Sequence, residues 1–360
     1  MIWDDHELAN DAWMNGAGAH DPATEGAWAA RKAAAMKAYV DWMPIRHKTA
    51  DGLRIYRRLD WGDLASILLL DTRLIGRDQQ GSARTALAAA AQQGPDALKR
   101  AAQDFAATTL NDPKRTMLGA PQEAWLTQQM RASKTSGRPW QILAQQVVTG
   151  EQNISANAPK MLPPDASDWQ KNFVQNAVTL SGLGLPWSMD SWSGYPAARA
   201  RLLEACARDA ENALVLAGDS HSAWAYNLPG GANGAPAAVE IGVTSVASTG
   251  FERTFSNAAP GEREASMLDA NKELAWCDIT RRGYTITKVT PQRTEATYVQ
   301  LSDITTPARP SPSRKTLAAE AGVGVRARAC QALWGGGGGG CGGWGGVLLV
   351  WGGGWCVCGR

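Results

Sequence analysis

The sequence has few of the residues that mark disulfide-rich or thiolate-metal proteins. It contains six cysteines in 360 residues, and four of them fall in an unusual C-terminal stretch rich in glycine and tryptophan. Only Cys206 and Cys277 lie in the body of the chain. Two well-separated cysteines do not make a disulfide framework, and they lack the Cys-x-x-Cys spacing of a zinc site.

Long apolar runs and strong charge are also missing. The longest apolar runs, such as SILLL around Leu68, are much shorter than the roughly 20 residues that cross a bilayer. The formal net charge is +2, and no long basic run suggests a nucleic-acid partner. The N-terminus, MIWDDHELAND, has neither the basic start nor the apolar middle of a signal peptide. As written, the chain is therefore expected to stay in the cytoplasm.

The composition and the order of the apolar and helix-like segments predict a layered α/β fold. The composition, 44% hydrophobic and 19% charged, is that of a globular protein. The continuous apolar run in LASILLLDTR is typical of a strand buried on both faces. Helix-like segments alternate with further apolar strands, as in PQEAWLTQQMRAS before WQILAQQVV and YPAARARLLEACARD before NALVLAGDS. After Gly231 the sequence becomes β-rich, with a helix expected near residues 261–275.

Other segments give less definite predictions. MIWDD resembles the end of a strand, and a helix is expected from Thr24 to Tyr39. The alanine-rich residues 82–108 are either helical or a poorly ordered insertion. Residues 159–193 are expected to be loop-rich with one short helix. The main domain is expected at 1–305, followed at 306–360 by a linker and a disordered tail of glycine, tryptophan and cysteine.

Two of the four histidines lie in acidic clusters where apolar runs end. WDDHELAND places His6 beside Asp5, and LAGDSH places His221 two residues after Asp219. Ligand crevices in α/β sheets form at the ends of strands. Carboxylate and imidazole groups on such loops can converge on one or two divalent ions, which activate water and neutralise a phosphate ester. The sequence therefore favours a metal site.

Three alternatives remain open for these residues. Acid-rich strand ends are often solvated turns, and Asp4 or Glu7 would serve equally well as a helix N-cap. Ser220 in GDS would suit a serine nucleophile, but that chemistry needs a general base, and no histidine follows His221. His20 and His47 lie in polar loops and are expected at the surface.

Several motifs in order resemble one family. WDDHELANDAW is similar to the WDDHE-x-x-ND motif of PhoD-like alkaline phosphatases, a branch of the calcineurin-like metallophosphatases. The resemblance continues through IYRRLDWGDLASILLLDTRLIGRDQ, MLGAPQEAWL, DSWSGYPAARARLLEA, NALVLAGDSHSAWAYNL and RRGYTITKVTP. It covers about residues 1–300, and the number and order of the motifs make it specific.

The resemblance implies a phosphoesterase with a metallophosphatase-type sandwich, two β-sheets flanked by helices. Asp5 would be a metal ligand, and His6 would polarise the phosphoryl oxygen or protonate the leaving group. Asp219 and His221 would be ligands at the second turn. Arg73 is a candidate for holding a phosphate oxygen, with an ion pair to Asp71 or Asp78 as the equally weighted alternative.

The resemblance also implies the cofactors and leaves one alternative. Ca²⁺ and Fe³⁺ are the expected ions, other transition metals are possible substitutes, and the substrate would be a phosphate ester. Family members are commonly exported to the periplasm or secreted. The family's first ligand motifs precede the WDDHE segment, so this chain is expected to be N-terminally truncated. The alternative function is therefore a non-catalytic remnant that lacks the upstream metal ligands.

Overall fold

The computed structural model describes residues 2–45, 54–259, 261–306 and 312–321, together with three later strands. His47 lies outside the described residues. The helices are α1 (Pro22–Glu25), α2 (Trp28–Trp42), α3 (Ala83–Ala91), α4 (Pro95–Phe105), α5 (Ala120–Thr135), α6 (Asp168–Gly182), α7 (Pro196–Asp209) and α8 (Glu262–Ala270). The strands are β1 (Ala12–Trp13), β2 (Gly16–Ala17), β3 (Arg57–Trp61), β4 (Ala65–Leu69), β5 (Trp140–Ala144), β6 (Ala213–Ala217), β7 (Ala223–Leu228), β8 (Ala238–Gly242), β9 (Leu274–Asp278), β10 (Arg282–Val289), β11 (Arg293–Leu301), β12 (Pro312–Glu320), β13 (Arg328–Ala329), β14 (Gly346–Trp351) and β15 (Gly354–Cys358).

A seven-stranded mixed sheet forms the centre of the fold. Its strand order is β3-β4-β5-β6-β8-β7-β9. The consecutive strands β4, β5, β6 and β8 are parallel, whereas β3, β7 and β9 pair antiparallel to their neighbours. The carboxyl ends of the four parallel strands therefore lie at one edge of the sheet, where α/β proteins place their sites. The predicted α/β class is confirmed at this level.

Both faces of this sheet are covered, because successive side chains of a strand point to opposite sides. In β4, Leu68 joins a core with residues of α5, α6 and α7. Ile67 and Leu69 join a second core on the other face, which includes Met36 of α2. This two-sided burial explains why the strand is a continuous apolar run.

A six-stranded antiparallel sheet, with the order β13-β12-β11-β10-β14-β15, shares the second core. Val289, Tyr298 and Leu317 from this sheet belong to the same apolar cluster as Ile67 and Leu69. The result is a mixed α/β fold in which helices cover one face of the large sheet and strands cover part of the other.

The C-terminal region differs from the prediction of a linker and a disordered tail. Residues Pro312–Glu320 pair with β11 over nine residues, from Leu301 opposite Pro312 to Arg293 opposite Glu320. The backbone of β14 pairs with β10. In these strands the structure differs from the predicted linker and tail, whereas the domain boundary at residue 305 stays a prediction. Composition alone missed them because an exposed edge of β10 or β11 supplies backbone partners to almost any extended segment.

Local predictions succeed where helix signals are strong and fail where tertiary contacts decide. The helix expected from Thr24 to Tyr39 is divided into α1 and α2 at Gly26, whose φ is 81°. Residues 2–5 of the MIWDD segment, which the structure describes, do not form a strand. The alanine-rich region forms α3 and α4, which pack together around Leu87 and Phe105. The expected short helix, α6, has 15 residues and begins with a capping box of Ser167 and Gln170.

Among the described residues, no helix combines the length and apolar character that a bilayer crossing requires.

Candidate metal centre

The candidate site lies at the carboxyl ends of β4 and β6. Asp71 and Arg73 follow β4, and Asp219 and His221 follow β6. The N-terminal segment lies across these ends, because the Trp3 indole donates a hydrogen bond of 3.1 Å to Asp71. The topology therefore brings the two acidic clusters of the sequence together.

Three carboxylates converge at this point. Asp4, Asp5 and Asp219 each offer an oxygen, and these atoms lie within 4.8 Å of one another. Asp5 is held by the backbone N–H of Asp11, which donates to its carboxylate at 2.9 Å. The side chains of Asp4 and Asp219 are 31% and 25% exposed, so the cluster is open to solvent on one side.

Arg73 lies against this cluster and is completely buried. Its Nε donates to Asp4 at 2.7 Å and its Nη2 donates to Asp219 at 2.8 Å. Its Nη1 contacts both oxygens of Asp190, at 2.8 and 2.7 Å. The guanidinium therefore bonds to three carboxylates from three separate parts of the chain.

Asp190 is a further member of the site and comes from the loop between α6 and α7. Besides Arg73, it accepts hydrogen bonds of 2.6 Å from Arg77 and 2.7 Å from Gln80. Tyr195 contacts Arg77 at 3.2 Å and so supports this second guanidinium. The site thus has a polar inner wall whose side chains are joined by hydrogen bonds.

The electrostatics of the site are unbalanced toward negative charge. Asp219 interacts electrostatically with Asp4, Asp5 and Asp190, and Asp11 interacts with Asp5 and Asp190. Arg73 and Arg77 are the basic groups that act on Asp11 and Asp190. Five carboxylates thus face two guanidinium groups.

The pKa values of the carboxyl groups differ because burial and the two arginines act on each group to a different extent. Burial raises the pKa of Asp4, and burial together with the nearby Asp4 carboxylate raises the pKa of Asp219 well above its usual range. Burial also acts on Asp190, but Arg73 and Arg77 outweigh it and lower its pKa to about 2. The positive charge of the arginines therefore offsets the effect of burial at Asp190 but not at Asp4 or Asp219.

His221 has a defined orientation. Its Nδ1 lies 2.9 Å from the Thr249 carbonyl oxygen, which can only accept a hydrogen bond. In a neutral imidazole, Nδ1 therefore carries the proton and Nε2 has the lone pair that a metal ligand needs. Asp219 and His221 have φ values of 64° and 53°, a backbone conformation that is costly for residues other than glycine and is concentrated at functional sites.

The other histidines are placed differently. His6 lies in an exposed turn that the Leu8 N–H closes by donating to the Asp5 carbonyl at 2.8 Å. The prediction that His20 is a surface residue is wrong, because its side chain is only 1% exposed. It packs against Trp28 and contacts Arg31 at 3.3 Å, since the start of α2 folds over it.

The structure brings together some of the predicted site residues. Asp5, Asp219 and Arg73 meet in the cluster, whereas His221 lies on the same turn as Asp219 but is not one of the three residues whose ligand atoms converge. Arg73 makes its closest side-chain ion pairs with Asp4, Asp190 and Asp219 and a longer one of 3.9 Å with Asp5, whereas Asp71 accepts a hydrogen bond from the Arg73 backbone N–H. Sequence reasoning missed the roles of Asp4 and Asp190. Only their presence in the WDDHE and DSWSGYP motifs signalled them, because neither residue lies on a periodic element.

The residues fit a metal ion in their chemistry. Carboxylate oxygens suit hard cations, and a neutral imidazole nitrogen adds a ligand that transition metals accept. The excess of carboxylates over guanidinium groups provides the negative charge that a cation requires. Fold and site together define an α/β protein with a carboxylate-rich candidate metal centre at the ends of its parallel strands.

Comparison with known proteins identifies the family. The sequence model of the PhoD-like phosphatase family matches residues 1–298. The chain belongs to this family. It is 28% identical over 318 residues to alkaline phosphatase D of Bacillus subtilis (strain 168), covering 85% of this chain and 45% of the relative. It is also similar to a solved structure described as "Structure of PhoD", with a TM-score of 0.62 and 26% identity, over 93% of this chain and 55% of that one. The chain thus spans about half the length of the relatives it matches.

Proposed function

We propose that the protein is a metal-dependent phosphoesterase that hydrolyses phosphate esters. The observation that carries this function is the convergence of Asp4, Asp5 and Asp219 at the carboxyl edge of the parallel strands. Membership of a phosphatase family supports the same reaction class. A bound cation would activate water and neutralise charge on the phosphoryl oxygens.

The ligand set combines both acidic motifs. Asp5 and Asp219 provide carboxylate oxygens, and Asp4 adds a third within the same 4.8 Å group. We assign Nε2 of His221 as a further ligand, because His221 lies on the same turn as Asp219 and its Nδ1 is bonded to the Thr249 carbonyl oxygen. Ca²⁺ and Fe³⁺ suit this mixture, since hard cations prefer oxygen ligands and transition metals also accept imidazole.

His6 is assigned to the substrate side of the centre. It follows Asp5 directly, and its exposed position leaves the imidazole free to meet a substrate from solvent. From there it can stabilise a phosphoryl oxygen or give a proton to the leaving group.

Arg73 requires a different role from the one expected. A phosphate-binding fork needs free donors, whereas the buried Arg73 guanidinium bonds to Asp4, Asp190 and Asp219. These bonds favour a role in organising the carboxylates over direct contact with phosphate.

The test is a phosphatase assay with metal removed and restored. Activity on an aryl phosphate should disappear in a strong chelator and return with Ca²⁺ or a transition metal. Asp219→Asn and His221→Ala should abolish it, whereas Asp165→Asn, an exposed acid away from the site, should not. Chelator-insensitive turnover, or full activity of His221→Ala, would refute the proposal. Metal binding without any turnover supports the non-catalytic alternative.

A further inference from the structure

Arg73 occupies oxygens of the same carboxylates that a metal ion would bind. Asp4 and Asp219 belong to the group of carboxylates that can share one cation, yet each has an oxygen bonded to the Arg73 guanidinium, at 2.7 and 2.8 Å. A cation at the same oxygens would lie against a buried positive charge. Like charges at such a separation repel, and the burial of the guanidinium limits how far water screens it.

We propose that Arg73 is the resident counter-cation of the carboxylate cluster, so that a metal ion binds Asp4 and Asp219 only by displacing its guanidinium from them. The inference rests on the proposed metal-dependent function. It assigns Arg73 as a positioning residue that acts through the carboxylates.

Arg73 has a further ion pair that does not involve Asp4 or Asp219. Its Nη1 is paired with both oxygens of Asp190, which also contacts Arg77 and Gln80 on the inner wall. The bonds to Asp4 and Asp219 use the other two nitrogens, Nε and Nη2. The guanidinium can therefore release the solvent-facing carboxylates while it keeps its ion pair with Asp190.

The two sides of the cluster also differ in their access to water. The Arg73 side chain is 0% exposed, whereas Asp4 and Asp219 are 31% and 25% exposed. An arriving cation thus reaches the carboxylates from solvent, whereas the guanidinium holds them from inside the protein. This arrangement predicts competition between the two cations for shared oxygens.

The experiment measures metal affinity by calorimetry and thermal stability with and without chelator, using Ca²⁺ and Mn²⁺ as probes. Arg73→Met removes the charge but keeps an unbranched side chain. Its metal affinity should rise on the order of tenfold or more, because the competing charge is gone. Its melting temperature in chelator should fall, because the carboxylates lose their partner, and added metal should restore more stability than in the unaltered protein.

Two matched variants separate competition from general loss of charge. Arg77→Met also removes a buried guanidinium, but one that contacts Asp190 and no oxygen of Asp4 or Asp219 in the described contacts, so it should not tighten metal binding. Arg73→Lys keeps the charge and should bind metal no more tightly than the unaltered protein. Weaker metal binding in Arg73→Met would overturn the inference, since Arg73 would then support the ligands.

A second measurement covers the case in which Arg73→Met does not fold. In unaltered protein labelled with ¹⁵N-arginine, the Arg73 Nε–H should be protected from exchange in chelator and lose that protection when metal is added. Metal binding that leaves this resonance unchanged would overturn the inference. Failure of the unaltered protein and of Arg73→Met to bind any metal would instead contradict the proposed function.

Discussion

Hydrogen bonds of the Gln146 side chain connect Trp3 to the end of the central sheet. Its side-chain amide donates a hydrogen bond of 2.6 Å to the Trp3 carbonyl, and its oxygen accepts from the Thr72 hydroxyl at 2.6 Å. The segment that carries Asp4 and Asp5 is thereby tied to the residues that follow β4 and β5. This buried amide therefore helps, together with the Trp3–Asp71 hydrogen bond, to place Asp4 and Asp5 in the candidate metal centre.

Replacing Gln146 with Leu should destabilise the protein by about 1–3 kcal/mol, because the Trp3 carbonyl and the Thr72 hydroxyl would lose a buried partner. Denaturation in urea measures the change. Gln128→Leu is the control, since Gln128 is exposed on α5 and should change stability by less than about 0.5 kcal/mol. Equal effects of the two substitutions would show that the Gln146 contacts contribute nothing specific.

Asp190→Asn should be more damaging. The substitution leaves Arg73 and Arg77 with one fewer negative partner in a buried place, and removing one member of such a pair costs about 3–5 kcal/mol. Thermal and chemical unfolding both report the loss. Asp165→Asn, at an exposed position, is the matched control and should be close to neutral. A near-neutral Asp190→Asn would contradict the role assigned to this residue.

Glu240 is a buried acid outside the candidate metal centre. It lies on β8 with 0% exposure, and its carboxylate accepts hydrogen bonds from the backbone N–H groups of Thr149 and Gly150 at 2.7 and 2.8 Å. Burial outweighs these bonds and raises the pKa of Glu240 to about 7. The folded protein therefore holds a proton here that the unfolded chain releases near its ordinary pKa of 4.5.

This raised pKa gives stability a defined dependence on pH. The contribution of Glu240 is fully present below pH about 4.5 and is lost as pH rises through about 7, because the unfolded state gives up the proton first. The loss is at most about 3 kcal/mol. In Glu240→Gln this part of the pH dependence of the free energy of unfolding should disappear. The difference in that free energy between the two proteins should therefore change between pH 5 and pH 8. A difference that is constant over that range would contradict the shift.

Leu216→Ala tests the packing of the central sheet. Leu216 is 0% exposed in β6, and its removal should cost about 2–5 kcal/mol by leaving a cavity in the second core. Leu268→Ala on α8 is the control, because Leu268 is 40% exposed and alanine is a strong helix former. The ratio of the two effects, measured by urea denaturation, should be severalfold. Comparable effects would show that β6 is not tightly packed.

Much of the central sheet and its helices was predictable from local patterns. The apolar run before Asp71 predicted β4, and the run before Gly218 predicted β6, because strands buried on both faces need apolar side chains at every position. Helices α5 and α7 were also predicted. The β7 strand was missed, because its AWAYNL sequence follows β6 closely and carries no separate turn signal, although it lies between β8 and β9.

The sequence by itself determined the α/β class, the family and the two acidic motifs, since each of these depends on residues close together in the chain or on their order. Only the tertiary structure decided which side chains meet. Arg73 bonds to Asp190 across 117 residues and to Asp219 across 146, and no periodic pattern spans such separations. These pairings follow from the parallel order of β4, β5 and β6, which brings the loops after the strands to one edge of the sheet. The burial of His20 and the pairing of β12 have the same origin, because both depend on a neighbouring element that folds over a locally polar segment.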